Sequence, residues 1–180
     1  AIKFQTFKAH EVVTQKGKMA EYQKENIGKS ESQLLMLQRL ELPETFYKSI
    51  VAHCRKRNIL FLSTPLGGFA AVDFLHKLGV QAFKFGSGDI NNFPVLQYAA
   101  RLGKPIILGT GMATMGEVKE AVKCIKQAGN NKIIVLHCTT SYPCPPNEVN
   151  LAAMRSMMRE LGMLVGYSDH TLGIQVPVMA

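Results

Sequence analysis

Six times along this chain, a short run rich in β-branched and aromatic residues gives way to a polar loop and then a longer amphipathic segment. The runs cover residues 1–5, 59–63, 82–85, 105–108, 132–137 and 163–167. No hairpin signal of the Asn-Gly type joins neighbouring runs. Strands that alternate with helices in this way pair in parallel and need crossover helices. Two architectures satisfy that pattern, a doubly wound open sheet and a (β/α)8 TIM barrel. No G-x-G-x-x-G follows the first run, which removes the main support for a dinucleotide fold. Six units in 180 residues scale to about eight in a barrel of ordinary length.

The helical segments carry local start and stop signals. Residues 6–29 read as a polar loop. Ser30 with Gln33 reads as a capping box opening a helix with Leu34, Leu37 and Leu40 on its apolar face. Pro43 opens a second helix, with Phe46, Ile50, Val51 and Cys54 at helical spacing. Ala71, Phe74, Leu75 and Leu78 form a stripe that stops at Gly79. Further helices run from Pro94 to Gly103, along Val118, Ala121, Val122 and Ile125 to Gly129, and along Leu151, Met154, Met158 and Leu161. Another begins near Val176.

Composition excludes several function classes. With 47% hydrophobic and 19% charged residues, the chain has the make-up of an ordinary globular domain. No apolar run reaches the roughly 18 residues that span a bilayer, and no leader is visible, so membrane partners are not expected. The net charge of +8 is dispersed apart from Arg55, Lys56 and Arg57, which read as a solvated helix end. No basic stripe with base-stacking residues marks nucleic-acid binding. Cys54, Cys124, Cys138 and Cys144 form no C-x-x-C pair and read as buried free thiols in a reducing cytoplasm. Both chain ends read as cuts through a longer fold.

Active sites of parallel α/β folds form at the C-terminal ends of the strands. Those ends are polar here: Lys3, Gln5 and Thr6; Ser63 and Thr64; Lys84, Ser87 and Asp89; Thr110; His137, Thr139, Thr140 and Tyr142; Ser168, Asp169 and His170. Lys3 and Lys84 each interrupt an apolar strand. A lysine pointing into a barrel mouth loses water and needs an anion. Ser87, between two glycines, and the hydroxyls of Thr64, Thr110 and Ser168 suit a phosphate, although capping a helix is an equal use for each. His170 suits a divalent metal or acid–base work, and His137 a core role. His10, His53 and His76 read as surface residues. The residues alone point to a synthase, lyase or aldolase acting on a phosphorylated or carboxylated small molecule.

The strings AIKFQTFKA, AEYQKENIG with ESQ, FLSTP, FKFGSGDINNFP, KPIILGTGMAT, LHCTTSYPCPPNEVNL and VGYSDHTLG, in this order, resemble consecutive signatures of the N-acetylneuraminate (sialic acid) synthase family. The resemblance implies a TIM barrel in which phosphoenolpyruvate is condensed with the open-chain aldehyde of an N-acetylated amino sugar such as N-acetylmannosamine. A divalent metal (Mn2+, Mg2+ or Co2+) assists, and a sialic-type acid and phosphate are the products. It further implies that Lys3, Thr64, Lys84, Ser87 and Ser168 bind phosphoenolpyruvate. Gln5, Asn26, Asp89, Thr140 and Tyr142 would face the sugar, Asp89 and His170 would be catalytic, and His170 would be one of two metal-ligating histidines. Asp89 stands where many members have glutamate, and Thr140 where some have asparagine.

On this resemblance, residues 1–180 are the central portion of the catalytic barrel, its strands two to seven. The first and last strands and a C-terminal antifreeze-like domain lie outside the sequence, and the full-length parent is a homodimer. The isolated chain is then expected to be inactive and prone to aggregate through its open edges. Relatives making N,N'-diacetyllegionaminate or pseudaminate share these motifs. A Schiff-base aldolase using Lys84 and a non-catalytic anion-binding remnant are the readings of other kinds.

Overall fold

The computed structural model describes residues 1–180. The chain divides into two compact units, Ala1–Val80 and Gln81–Ala180. All six strands lie in parallel ladders, as the alternation predicts. No helix is long and apolar enough to cross a membrane.

In the first unit, β1 (Ile2–Thr6) is followed by the helices α1 (Ala9–Val12), α2 (Glu21–Ile27), α3 (Gln33–Leu40) and α4 (Glu44–Lys56). Strand β2 (Phe61–Pro65) and helix α5 (Gly68–Leu78) complete it. β1 pairs with β2 from Ile2 opposite Phe61 to Thr6 opposite Pro65. Side chains alternate across the pleat, so Phe4, Thr6, Phe61 and Ser63 share one face. There Phe4 stacks on Phe61 at 5.4 Å between centroids, and Tyr47 of α4 meets Phe61 and Phe74 edge-on. The buried Thr6 hydroxyl bonds both Tyr47 Oη (3.0 Å) and Ser63 Oγ (2.8 Å). Lys3, Gln5, Leu62 and Thr64 occupy the opposite face.

Three expectations shift in this unit. The segment read as a polar loop contains α1 and α2. α2 buries no residue, so it has no apolar stripe to betray it; the Gln23 side chain, accepting from the Ala20 amide at 2.9 Å, secures its first turn. The cap of α3 is Ser32, not Ser30, because Lys18 and Ser32 form an antiparallel bridge that keeps the chain extended up to that point. β2 starts two residues late. Asn58 adopts a left-handed conformation (φ 52°), and the Ile59 amide turns back to the Cys54 carbonyl, so this stretch closes α4 instead of opening the strand.

In the second unit, β3 (Phe83–Phe85) leads through a 3-10 turn, Ser87–Asp89, into α6 (Phe93–Arg101). Then come β4 (Ile106–Gly109), α7 (Met115–Gln127), β5 (Ile133–His137), a 3-10 turn Pro146–Glu148, α8 (Ala152–Leu161), β6 (Val165–Tyr167) and α9 (Gln175–Met179). The four strands pair in the order β3-β4-β5-β6. Spatial order therefore follows chain order with no reversal, which is barrel winding; a doubly wound sheet reverses at a switch point. Phe83, Phe85, Ile106, Leu108, Ile133 and Val135 are buried on one face. The core side chains of the helices, among them Leu96, Ala99, Val118, Ala121 and Ile125, are buried as well. Lys84, Ile107 and Ile134 share the other, less buried face.

Gly79 and Gly129, read as helix stops, take φ values of 83° and 89°. All four cysteines are free and buried. The start of α7 is a capping box: Thr114 Oγ1 accepts from the Glu117 amide at 3.3 Å, and Glu117 Oε2 accepts from the Thr114 amide at 2.7 Å. Thr114→Ala is expected to lower unfolding free energy by about 1 kcal/mol, read from urea denaturation. Thr114→Ser, which keeps the hydroxyl, should restore most of it.

Candidate active site

Lys84 lies in the middle of β3, half-buried among apolar strands. Its ammonium rests against β4 where Gly109 supplies no side chain. A Cβ at Gly109 would stand 3.3 Å from Lys84 Nζ, 3.5 Å from the Phe85 carbonyl oxygen and 3.7 Å from the Ser87 nitrogen. Glycine thus leaves a hollow at the end of β3 and β4, edged by an ammonium and a backbone nitrogen, which is a setting for an anion. Burial pushes the Lys84 pKa below the ordinary lysine value, and Cys138 and Asp89 pull it part of the way back. Asp89, at the end of the 3-10 turn, is pushed up by burial while Lys84 opposes the rise. Lys84 belongs to none of the chain's ion pairs. Its nearest compensation is therefore incomplete, and a bound anion would complete it.

The ends of β5 and β6 carry the second group. His170 Nδ1 donates to the Thr139 carbonyl at 2.8 Å, which leaves Nε2 with its lone pair in the neutral ring. The Tyr142 ring lies 4.4 Å from the imidazole, between centroids. Thr140 is exposed, and its hydroxyl crowds the place that a Cβ at Gly111 would take, beside Cys138. Ser168 is tied to β5 through its amide, which donates to the His137 carbonyl at 2.9 Å. His137 faces the helices: its Nε2 donates to the Val149 carbonyl at 2.7 Å, the core role expected of it. Thr110 is also structural, since its hydroxyl donates to the Leu136 carbonyl at 3.0 Å.

An oriented imidazole with a free Nε2 is the form in which histidine ligates a divalent ion. His170 therefore fits as one metal ligand. The chain holds no group of three or more His, Cys, Asp or Glu side chains placed to bind a metal, so it carries no complete ligand set.

In the first unit, Lys3, Gln5 and Thr64 share the face of the β1–β2 ladder that points away from α4. The Thr64 hydroxyl is buried with no hydrogen-bond partner. An orphaned buried hydroxyl is uncommon and costs stability. Lys3 and Gln5, by contrast, are exposed, so Lys3 is not the desolvated cation expected from its strand. β1 pairs on one side only, which leaves these side chains open to water. Asn26 is also exposed, and it sits near the end of α2 rather than in a loop.

The sequence profile of the NeuB family matches residues 1–180. The chain belongs to the NeuB family. This NeuB chain is 48% identical to the N,N'-diacetyllegionaminic acid synthase of Campylobacter jejuni, covering 99% of this chain and 54% of that protein. It is 42% identical to the synthase of the same name from Legionella pneumophila, over 100% of this chain and 51% of that one. The chain thus spans about half the length of the curated relatives it matches. Among solved structures, the N-acetylneuraminic acid synthetase of Leptospira borgpetersenii, crystallised with citrate, superposes with a TM-score of 0.83 at 30% identity. That match covers 99% of this chain and 57% of the other. The α/β barrel-type fold of the NeuB chain stands on that likeness and on its own strand order.

Some features of the NeuB site leave no sequence signal. Gly109 and Cys138 border Lys84 only through the register of β3, β4 and β5, and the Thr139 carbonyl that orients His170 is a backbone group.

The Lys84 shift fixes the sign of a pH effect. The unfolded chain holds this proton up to about the ordinary value of 10.5, while the folded chain releases it earlier. Stability therefore rises with pH across the interval between the lowered value and 10.5. Asp89 works oppositely at the acid end: its pKa is raised above 3.8, so its contribution is full below 3.8 and lost as pH rises through the raised value. Lys84→Met should remove the alkaline rise and leave the protein at least as stable as wild type at pH 7, measured by urea denaturation at several pH values. Cys124, Tyr47 and Tyr167, all pushed up by burial, act in the opposite direction over the alkaline range, so the Lys84 contribution is read as the difference between the two curves; a wild-type curve that does not rise relative to Lys84→Met toward pH 10.5 would contradict this assignment.

Proposed function

We propose that the protein carrying this sequence condenses phosphoenolpyruvate with an N-acetylated amino sugar, releasing phosphate and a nonulosonic acid. The observation that carries this reading is the desolvated, incompletely paired Lys84 beside the Gly109 hollow, in the same unit as the oriented His170. In this reading Lys84, the Ser87 amide and hydroxyl, and Ser168 hold the phosphate and carboxylate of phosphoenolpyruvate. In the first unit, the same reading gives Thr64, through its unpartnered hydroxyl, and Lys3, through its charge, a role in binding an anion. Asp89, whose raised pKa suits proton transfer nearer neutrality, serves as an acid–base group. Gln5, Asn26, Thr140 and Tyr142 face the sugar.

His170 would hold a divalent ion (Mn2+, Mg2+ or Co2+) through Nε2. Such an ion polarises a carbonyl oxygen and helps to orient it. The protein's own contribution is to keep both reactants aligned and to place fixed positive charge where negative charge spreads. Carbon–carbon bond formation joins the enol carbon of phosphoenolpyruvate to the sugar aldehyde carbon. Water then adds to the resulting cation, and phosphate leaves with cleavage of the C–O bond. We further propose a cytoplasmic homodimer, the location being supported by the four free thiols.

For the sugar, similarity favours the 2,4-diacetamido precursor of N,N'-diacetyllegionaminic acid over N-acetylmannosamine, because two of the relatives named above carry that product in their names.

The test uses the whole natural protein with manganese, phosphoenolpyruvate and each sugar in turn. Phosphate release is followed, and mass spectrometry identifies the acid. Product with the diacetamido sugar at the highest kcat/KM supports both parts of the reading. A folded, manganese-binding protein that makes no acid from any sugar sinks it. In the same assay Lys84→Ala is expected to raise the KM for phosphoenolpyruvate roughly 10- to 100-fold, the worth of one charge-assisted hydrogen bond. Asp89→Asn should act mainly on kcat.

A further inference from the structure

The turn after β6 carries Ser168 and His170, and between them stands Asp169, for which the proposed chemistry has no use. Its carboxylate is heavily engaged. Asp169 Oδ1 accepts from the Thr171 amide (3.0 Å), the Thr171 hydroxyl (2.8 Å) and the Tyr167 hydroxyl (3.1 Å). One oxygen thus gathers donors from residues two before and two after it, spanning the whole turn. We infer that Asp169 is the positioning residue of the Ser168–His170 turn: it clamps the backbone on both sides of His170 and so fixes where the imidazole and the Ser168 hydroxyl stand. The inference rests on the reading of Ser168 and His170 given above.

Besides the Tyr142 ring packed on the imidazole, the other ties to this turn are hydrogen bonds with backbone groups. The Ser168 amide donates to the His137 carbonyl, the Cys144 amide donates to the His170 carbonyl at 2.8 Å, and the Thr139 carbonyl accepts from the ring. Each reaches the turn from β5 or the loop behind it. Only the Asp169 carboxylate holds the turn from within. An oxygen with three donors on it has little capacity left for a metal or a substrate. Asp169 therefore acts through its neighbours.

The experiment compares wild type, Asp169→Asn and Asp169→Ala in the whole natural protein. Long-range proton–nitrogen NMR correlations read the tautomer of His170, and electron paramagnetic resonance reads manganese binding. Asparagine keeps an acceptor oxygen for all three donors; alanine keeps none. Wild type and Asp169→Asn are expected to show a single Nδ1–H tautomer and to bind manganese within about threefold of each other. Asp169→Ala should mix both tautomers and weaken manganese roughly 10- to 100-fold, the usual cost of losing a group that orients a metal ligand.

A single tautomer in a folded Asp169→Ala protein overturns the inference, and so does a wild type that already mixes tautomers. Loss of manganese in Asp169→Asn with the His170 tautomer intact overturns it too, because Asp169 would then be a ligand. If the tautomer loosens in Asp169→Ala but no variant binds manganese, the clamp stands and the metal reading falls. Should Asp169→Ala fail to fold, Thr171→Val and Tyr167→Phe each remove one donor. Partial tautomer mixing in either supports the clamp, and none in both overturns it.

Discussion

Parallel strands leave a sheet at the same end, and the chemistry of this chain hangs on that constraint. In the four-stranded sheet, each strand pairs in step with its predecessor, so the residues just past Phe85, Gly109, His137 and Tyr167 must emerge along one edge. That edge gathers an ammonium, a carboxylate, an imidazole and several hydroxyls from segments far apart in sequence. None of these residues needs a local signal to find the others. The apolar alternation along the strands sets the register, because a slip of one residue would turn Phe83 and Phe85 away from the helices and force Lys84 into the core.

The same arrangement carries a cost that stability alone does not justify. Lys84 and Asp89 are both shifted toward their neutral forms, so each charge is less comfortable in the fold than in water. Thr64 buries a hydroxyl with no partner. A sequence selected only for folding would replace these with apolar side chains of similar size. Perturbed or unsatisfied polar groups at strand ends, within each unit taken by itself, are more common at functional sites than elsewhere.

Much of this was legible in the sequence because it was written as exceptions. A lysine inside FKF is conspicuous in an otherwise apolar strand, and Gly79 and Gly129 mark where α5 and α7 stop. The parts that stayed hidden lacked such contrast. α2 buries nothing, so the sequence shows no helical periodicity there and Asn26 reads as loop. Ile59 looks like strand, but its amide is spent on closing α4 through the left-handed Asn58, a tertiary use of a backbone group that residue type does not announce. Lys3 matches Lys84 as a charged interruption of a strand, yet the two differ in burial, because β1 pairs with a single neighbour while Lys84 rests against β4. Sequence shows which residues are out of place; neighbours decide whether water reaches them.

The division of labour around His170 follows from the kinds of bonds that hold it. Backbone carbonyls and amides from β5 and its loop fix the turn from outside, and substitution does not remove them. Within the turn, the clamp is a carboxylate, which gathers several donors on one atom. A neutral side chain would accept the same donors more weakly. The charged clamp therefore holds the turn more firmly than a neutral one would. It stands beside an imidazole whose Nδ1 is tied to a carbonyl and whose Nε2 keeps its lone pair.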